Sequence, residues 1–150
     1  MQESNNCILT LKSFEDLRLS PHFDTLAGIW DIGYGTTHYP DGTAVTGADR
    51  SITEDEANDY LLFYVNKAVN CVNANVICIL NQNQFDALVI FTYNVGIEAF
   101  RTSTLLKVIN KDPTDYFNIQ KEWMRWVYSN GQKVTGLINR RNGEFDLYTS

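Results

Sequence analysis

The sequence predicts one α+β domain, residues 1–150, with an N-terminal helix, a small β-sheet subregion and a larger C-terminal helical lobe. Turn-forming glycines and prolines are concentrated after the first helix, whereas the rest of the chain repeats its apolar residues at helical spacing. A length of 150 residues is also that of one ordinary domain. We place the β subregion at about 21–51 and the helical lobe at about 53–150. A cleft between them would suit an elongated ligand.

The N-terminal helix is predicted over residues 5–19, because apolar side chains recur there at helical spacing. The β subregion is predicted from short apolar pieces that lie between turns such as Asp41-Gly42. Small strands are expected at residues 29–30, 32, 34 and 44–45.

The helical lobe is predicted to begin at a capping box, in which the Thr53 hydroxyl and the Glu56 carboxylate satisfy free backbone N–H groups. Apolar residues then follow the i, i+3, i+4 rule as far as Val72. Asp112 is expected to cap a later helix that has Pro113 at its first position. The remaining helices are predicted at residues 84–96, 103–110, 113–129 and 135–148. The first of these is apolar almost all round, which predicts a central, covered helix.

Charge and the distribution of apolar residues argue against a nucleic-acid partner, a membrane span and a signal peptide. Twelve Lys and Arg against eighteen Asp and Glu give a net charge of −6, whereas proteins that coat nucleic acid are normally basic. No apolar run reaches the roughly 18 residues needed to span a bilayer. Residues 1–6 lack the basic patch and the apolar stretch of a secretory signal peptide. We therefore expect no nucleic-acid partner, no membrane insertion and no signal peptide.

The cysteines and histidines do not predict a metal site. Cys7, Cys71 and Cys78 lack CxxC spacing, and with only His22 and His38 available a zinc site would be hard to assemble. We expect reduced, mostly packed thiols in a cytoplasmic product, with no metal and no cofactor.

Three carboxylates are candidates for glycosidic bond cleavage, which requires one protonated acid and one ionised carboxylate. Glu15 lies among apolar residues at the end of the first predicted helix, and partial desolvation favours its neutral form. Asp24 opens the β subregion, and Asp31 follows seven residues later. Spacing alone favours the alternative of solvated surface acids, because the chain has eighteen acids in all.

Two motifs surround these carboxylates. The first motif is Phe14-Glu15-Asp16-Leu17-Arg18-Leu19, and eight residues separate its Glu15 from Asp24. The second motif is Trp30-Asp31-Ile32-Gly33-Tyr34-Gly35. They resemble the patterns F-E-G-L-R-L, Glu-x8-Asp-x5-Thr and I-G-Y-G-H of the phage-type lysozymes of glycoside hydrolase family 24. Further matching segments lie in the same order at residues 52–57, 82–89, 93–96, 103–106, 125–128, 136–137 and 140–141. The resemblance therefore spans nearly the whole chain.

The resemblance implies a lysozyme-like fold and assigns roles to individual residues. Glu15 takes the position of the general acid, which protonates the leaving glycosidic oxygen. Asp24 takes the position of the second acid, which stabilises positive charge at the sugar and orients the attacking water. Asn94 and Tyr34 are the candidate substrate contacts.

The chain departs from the family pattern beside these positions. Asp31 replaces the family threonine, and six residues instead of five separate it from Asp24, with the extra residue expected in the Thr25–Gly28 turn. Thr36 replaces the histidine after I-G-Y-G, and His38, expected at the surface, follows two positions later. Unlike a threonine hydroxyl, the Asp31 carboxylate could act as a base or attack carbon; the alternative is that it turns to solvent or binds nearby backbone.

The resemblance implies a muramidase that cuts the β-1,4 bond between N-acetylmuramic acid and N-acetylglucosamine, as a phage or prophage endolysin. Its partner would be a peptidoglycan glycan strand, and we expect a monomer. We expect it in the host cytoplasm before lysis and at the wall after membrane permeabilisation. Two alternatives stay open: a non-catalytic peptidoglycan-binding protein on a lysozyme scaffold, and an enzyme whose substrate is shifted toward chitin-type polymers.

Overall fold

The computed structural model describes residues 1–150, which form two compact units. The helical unit consists of Met1–Ile8 and Val65–Ser150, and the β unit consists of Leu9–Tyr64. The single domain with boundaries at about 21–51 and 53–150 stays a prediction. In chain order the elements are α1 (Asn5–Phe14), β1 (Arg18–Asp24), β2 (Ile29–Gly33), α2 (Glu54–Asn75), α3 (Gln82–Val95), α4 (Ile97–Arg101), α5 (Thr104–Lys111), α6 (Tyr116–Trp123), β3 (Tyr128–Ser129), β4 (Gln132–Lys133) and α7 (Thr135–Thr149).

The β unit contains an antiparallel hairpin of β1 and β2, whose two faces differ in chemistry. The register pairs His22 with Asp31, Phe23 with Trp30, and Asp24 with Ile29. Side chains alternate along a strand, so His22, Asp24 and Asp31 share one face. The rings of Phe23 and Trp30 meet on the other face with centroids 5.3 Å apart. One face of the hairpin is therefore ionisable and the other is aromatic.

The first helix is shorter than predicted. It ends at Phe14, and residues that were expected to continue it as far as Leu19 belong instead to β1. Leu17 and Leu19 are 38% and 40% exposed, so they supply no buried helical face. Pro21 disfavours helical backbone before it, and pairing with β2 supplies the hydrogen bonds that a helix would have made. As a result Glu15 comes immediately after α1 rather than inside a helix.

The strands predicted in the β subregion are confirmed in part. β2 covers the predicted positions 29–30 and 32. Tyr34 lies instead in a tight turn, because Ile32 and Thr36 exchange two backbone hydrogen bonds of 2.9 Å across it. Ala44 forms only an isolated bridge with His38.

Four predicted helices are confirmed: α2, α3, α5, which was predicted at 103–110, and α7, which was predicted at 135–148. At the start of α2 the Thr53 hydroxyl accepts from the Glu56 N–H at 3.1 Å, and the Glu56 carboxylate accepts from the Thr53 N–H at 2.9 Å. Helix α3 is buried without a break over residues 84–92, as its apolar sequence predicts, and it packs against α7 in the helical unit. The ring of Phe91 on α3 lies 5.2 Å from that of Trp123.

The helix predicted over residues 113–129 is wrong at both ends. Asp112 accepts from the N–H and hydroxyl of Thr114 in a turn, and the N-cap of α6 is Asp115. Helix α6 ends at Trp123, and β3 and β4 then form a hairpin around Asn130-Gly131. Both turn residues have positive φ, 49° and 77°, and Asn-Gly is a common sequence for such two-residue hairpin turns. The short helix α4 was not predicted.

None of the seven helices combines the length and the apolar character needed to cross a bilayer. The three cysteines are free thiols; Cys7 and Cys71 are buried and Cys78 is half-buried, which agrees with the expected packed thiols.

Candidate active site

The Glu15 carboxylate lies against the turn that follows β2. A Cβ atom placed on Gly35 would be 3.0 Å from Oε2 of Glu15. Gly35 also has a φ of +76°, which side-chain-bearing residues rarely adopt. Glycine is therefore favoured at position 35 for two reasons, the left-handed backbone and the approach of the candidate acid.

Asp24 is held by the turn between β1 and β2. Its Oδ1 atom accepts from the backbone N–H groups of Leu26, at 2.8 Å, and Ala27, at 3.1 Å. The turn is Thr25–Gly28, where the extra residue of this chain was expected, and the Gly28 N–H donates to the Asp24 carbonyl at 2.7 Å. One carboxylate oxygen is fixed by backbone in this way, and Oδ2 makes no hydrogen bond to the protein.

Asp31 lies on the same sheet face as Asp24, with its side chain 19% exposed. Its Oδ2 atom is 3.4 Å from Nδ1 of His22, the residue directly opposite on β1. The Asp31 side chain is thus neither turned out to solvent nor bound to nearby backbone. Sequence reasoning missed His22, because only the register of the hairpin places it opposite Asp31.

The positions around the turn differ in burial. Thr36, in place of the family histidine, is 2% exposed and its hydroxyl has no hydrogen-bond partner. His38 is exposed, as expected for a surface position. Tyr34 is 6% exposed, and the Lys12 ammonium lies 5.0 Å from its ring centroid. The ring therefore packs inside the β unit and offers a ligand little open surface.

Asn94 lies near the end of α3 in the helical unit and is exposed. It lines a cavity of about 280 Å³ together with Trp126 and Tyr128. Its Oδ1 atom accepts from Arg141 at 2.7 Å. The Asn94 side chain is therefore oriented by a residue of α7.

A buried ionic network lies behind Asn94. Glu144 accepts from Arg141 at 2.7 Å, from Arg140 at 3.1 Å and from the Trp123 indole N–H at 2.9 Å. Burial raises the pKa of the Glu144 carboxyl, and both guanidinium groups and the indole N–H oppose that rise. Sequence reasoning missed this network, although Glu144 stands three and four residues after the two arginines, the spacing of ion pairs on a helix.

The chain is similar in sequence to known proteins over nearly its whole length. The phage lysozyme family model matches residues 12–144. The chain is 34% identical over 154 residues to an endolysin of Acyrthosiphon pisum secondary endosymbiont phage 1, covering all of this chain and 99% of that protein. It is 40% identical to an endolysin of Bacillus phage PZA, of which it spans 56%.

Two solved structures are also similar. An endolysin from Escherichia coli O157:H7 phage FAHEc1 has a TM-score of 0.84 at 39% identity, over 99% of this chain and 93% of that one. The muramidase domain of SpmX from Asticaccaulis excentricus has a TM-score of 0.78 at 34% identity, over 99% and 98%. The predicted fold class is confirmed by these structures, and the chain belongs to the phage lysozyme family.

Proposed function

We propose that this protein hydrolyses the β-1,4 bond between N-acetylmuramic acid and N-acetylglucosamine. As a member of its family it is a peptidoglycan-degrading endolysin and a glycoside hydrolase. The observation that supports the finer assignment is the position of the Glu15 carboxylate against Gly35, in the turn that follows the strand carrying Asp31. Asp24 shares the sheet face with Asp31, so the β unit supplies one candidate acid and two carboxylates.

Each carboxylate takes a separate part in the proposed reaction. Glu15 gives its proton to the glycosidic oxygen as the bond from that oxygen to the anomeric carbon breaks. Positive charge develops on the sugar, and the open Oδ2 of Asp24 stabilises it. A water oxygen bonds to the anomeric carbon while Asp31 takes the water proton. Attack from the face opposite the leaving group inverts the anomeric centre.

Direct attack by Asp31 on the anomeric carbon is the alternative chemistry. It would form a covalent glycosyl-enzyme and retain the anomeric configuration after hydrolysis. We favour the base, because the hydrogen bond to His22 directs one Asp31 oxygen along the sheet and leaves the other for a water. Proton NMR of the first product formed distinguishes the two, since inversion and retention give opposite anomers.

Asn94 is the proposed substrate contact in the helical unit, because it is exposed beside the Trp126 ring in a cavity large enough for a sugar ring. Tyr34, the other predicted contact, is proposed to act chiefly by packing in the β unit, in keeping with its burial. Asn94→Ala should therefore raise KM more than it lowers kcat.

The test is a lytic assay on permeabilised Gram-negative cells with wild type, Glu15→Gln and Glu54→Gln. Glu15→Gln should lose about 10²- to 10⁴-fold in rate, because it cannot protonate the leaving oxygen. Glu54 is an exposed acid of the same unit, so Glu54→Gln is the matched control and should keep the wild-type rate. Near-wild-type lysis by folded Glu15→Gln would refute the role of Glu15.

The bond that is cut is identified from the products. Borohydride reduction followed by mass spectrometry should place N-acetylmuramic acid at the new reducing ends. N-acetylglucosamine at those ends would contradict the proposal. A parallel reaction on chitooligosaccharides measures any shift toward chitin-type polymers.

We also propose a monomer that collects in the host cytoplasm and reaches the wall after the membrane is permeabilised. The net charge of −6 supports the absence of a nucleic-acid partner. Size-exclusion chromatography tests the monomer, and fractionation of host cells before and after a membrane lesion tests the location. Lysis of cells whose membrane is intact would contradict the proposed route.

A further inference from the structure

His22 and Asp31 form a cross-strand pair on the ionisable face of the β1–β2 hairpin. They are directly opposite each other in the register, and Nδ1 of His22 lies 3.4 Å from Oδ2 of Asp31. The side chain of Asp31 is 19% exposed and that of His22 is 39% exposed. The pair is therefore partly shielded from water, with the histidine on its more open side.

A carboxylate that acts as a base only accepts hydrogen bonds, so in the proposed mechanism the Nδ1–H of His22 donates to Asp31. This bond occupies Oδ2 and leaves Oδ1 of Asp31 without a protein partner. Hydrogen bonds in catalytic sites are often long before substrate binds and tighten afterwards, which agrees with the 3.4 Å separation.

We infer that His22 is the positioning residue of the water-activating base: its Nδ1–H holds Oδ2 of Asp31 so that Oδ1 faces the attacking water. This inference rests on the proposed function of Asp31. In the step itself the water O–H bond breaks, the proton moves to Oδ1 of Asp31, and the water oxygen bonds to the anomeric carbon. The glycosidic bond breaks with the proton from Glu15, and His22 keeps its own proton throughout.

A positioning role makes a specific kinetic prediction. His22→Leu removes the donor, so the Asp31 carboxylate can rotate away from the water, and kcat should fall at least about tenfold. KM should stay within about twofold, because His22 touches Asp31 and not the substrate. His22→Asn should keep most of the wild-type kcat, because its amide N–H can replace the Nδ1–H donor. His22→Asp has the shape of asparagine but no such donor, so its kcat should stay low.

The experiment measures kcat and KM for these variants with Asp31 present and again in an Asp31→Thr background. His38→Leu is the matched control, because His38 is an exposed histidine of the same unit, outside the β1–β2 hairpin. Thermal unfolding of every variant checks the fold; if His22→Leu does not fold, the comparison of His22→Asn with His22→Asp carries the test alone. We expect substitutions at position 22 to lower kcat only when Asp31 is present.

Three results would overturn the inference. If Asp31→Asn loses at least tenfold in kcat but His22→Leu keeps the wild-type value, His22 does not position the base. An equal loss from His22→Leu in both backgrounds would show a structural effect instead. If Asp31→Asn keeps the wild-type kcat while Glu15→Gln is inactive, Asp31 is not the base, and the proposed mechanism and the role of His22 fail together while the hydrolase function stands.

Discussion

Replacing Gly35 by alanine should separate the backbone requirement at this turn from the contact with Glu15. The φ of +76° costs an alanine about 1–2 kcal/mol relative to glycine. For a protein of this length that lowers Tm by about 2–8 °C. The new Cβ would also stand 3.0 Å from Oε2 of Glu15, so the carboxylate must move by a few tenths of an ångström. Because a misplacement of about 1 Å can cost roughly 10²-fold in rate, we expect a loss of about three- to tenfold in kcat for Gly35→Ala.

Gly42→Ala is the control for this prediction. Gly42 belongs to the same unit and has a φ of +90°, but a Cβ placed there has no neighbour within 4 Å. Thermal unfolding and the lytic assay, run below the lower Tm, measure the two effects separately. Both variants should lose similar stability, and only Gly35→Ala should lose activity. Equal activity in the two variants would refute the argument that the turn positions Glu15.

Three further predictions concern charge. Glu144→Gln breaks the buried ion pairs with Arg140 and Arg141 and should cost about 3–5 kcal/mol in urea unfolding; a loss below about 1 kcal/mol would contradict it. The lytic rate should stay flat or rise up to about 0.15 M salt, since screening weakens repulsion between the −6 protein and anionic peptidoglycan; a steep fall would indicate a local basic face. The hydrogen bond from Arg50 lowers the pKa of Glu56 to about 2. Stability should therefore fall as pH drops from about 4.3 toward 2, less so in Glu56→Gln, and equal acid loss in both would contradict this.

Local signals in the sequence correctly predicted the helices whose formation depends mainly on their own residues. The capping box at Thr53 and the unbroken apolar run of α3 each need no distant partner. The helix expected as far as Leu19 failed because its last residues find their hydrogen bonds in β2, a pairing that helical periodicity does not show. The helix expected to run past Trp123 failed because the Asn130-Gly131 turn brings β3 and β4 together, and helical periodicity does not show that pairing.

The candidate site was predictable as a set of acids but not as a set of contacts. Glu15, Asp24 and Asp31 were identified through the resemblance of the motifs around them to the phage-type lysozymes, since their spacing alone favoured surface acids. The groups that orient them were not, because the amides holding Asp24, the histidine opposite Asp31 and the glycine beneath Glu15 depend on turn geometry and strand register. Glu144 was missed for a related reason, since a charged residue in a helix is ordinarily exposed, and only tertiary packing buries this one with two arginines.

An acid at position 31 adds a negative charge to the face of the sheet that already carries Asp24, which a threonine would not do. Asp24 and Asp31 lie on one face as diagonal neighbours, where side chains are about 7–8 Å apart. Two ionised carboxylates on neighbouring positions of one sheet face repel each other. The Nδ1–H of His22 offsets this repulsion at Asp31, as the backbone amides of Leu26 and Ala27 do at Asp24. Asp31→Thr removes the second charge, and with it both the repulsion and the need for a donor opposite. We therefore expect His22 to contribute to stability and to kcat only while position 31 carries an acid. When position 31 carries the family threonine, His22 should be dispensable for both.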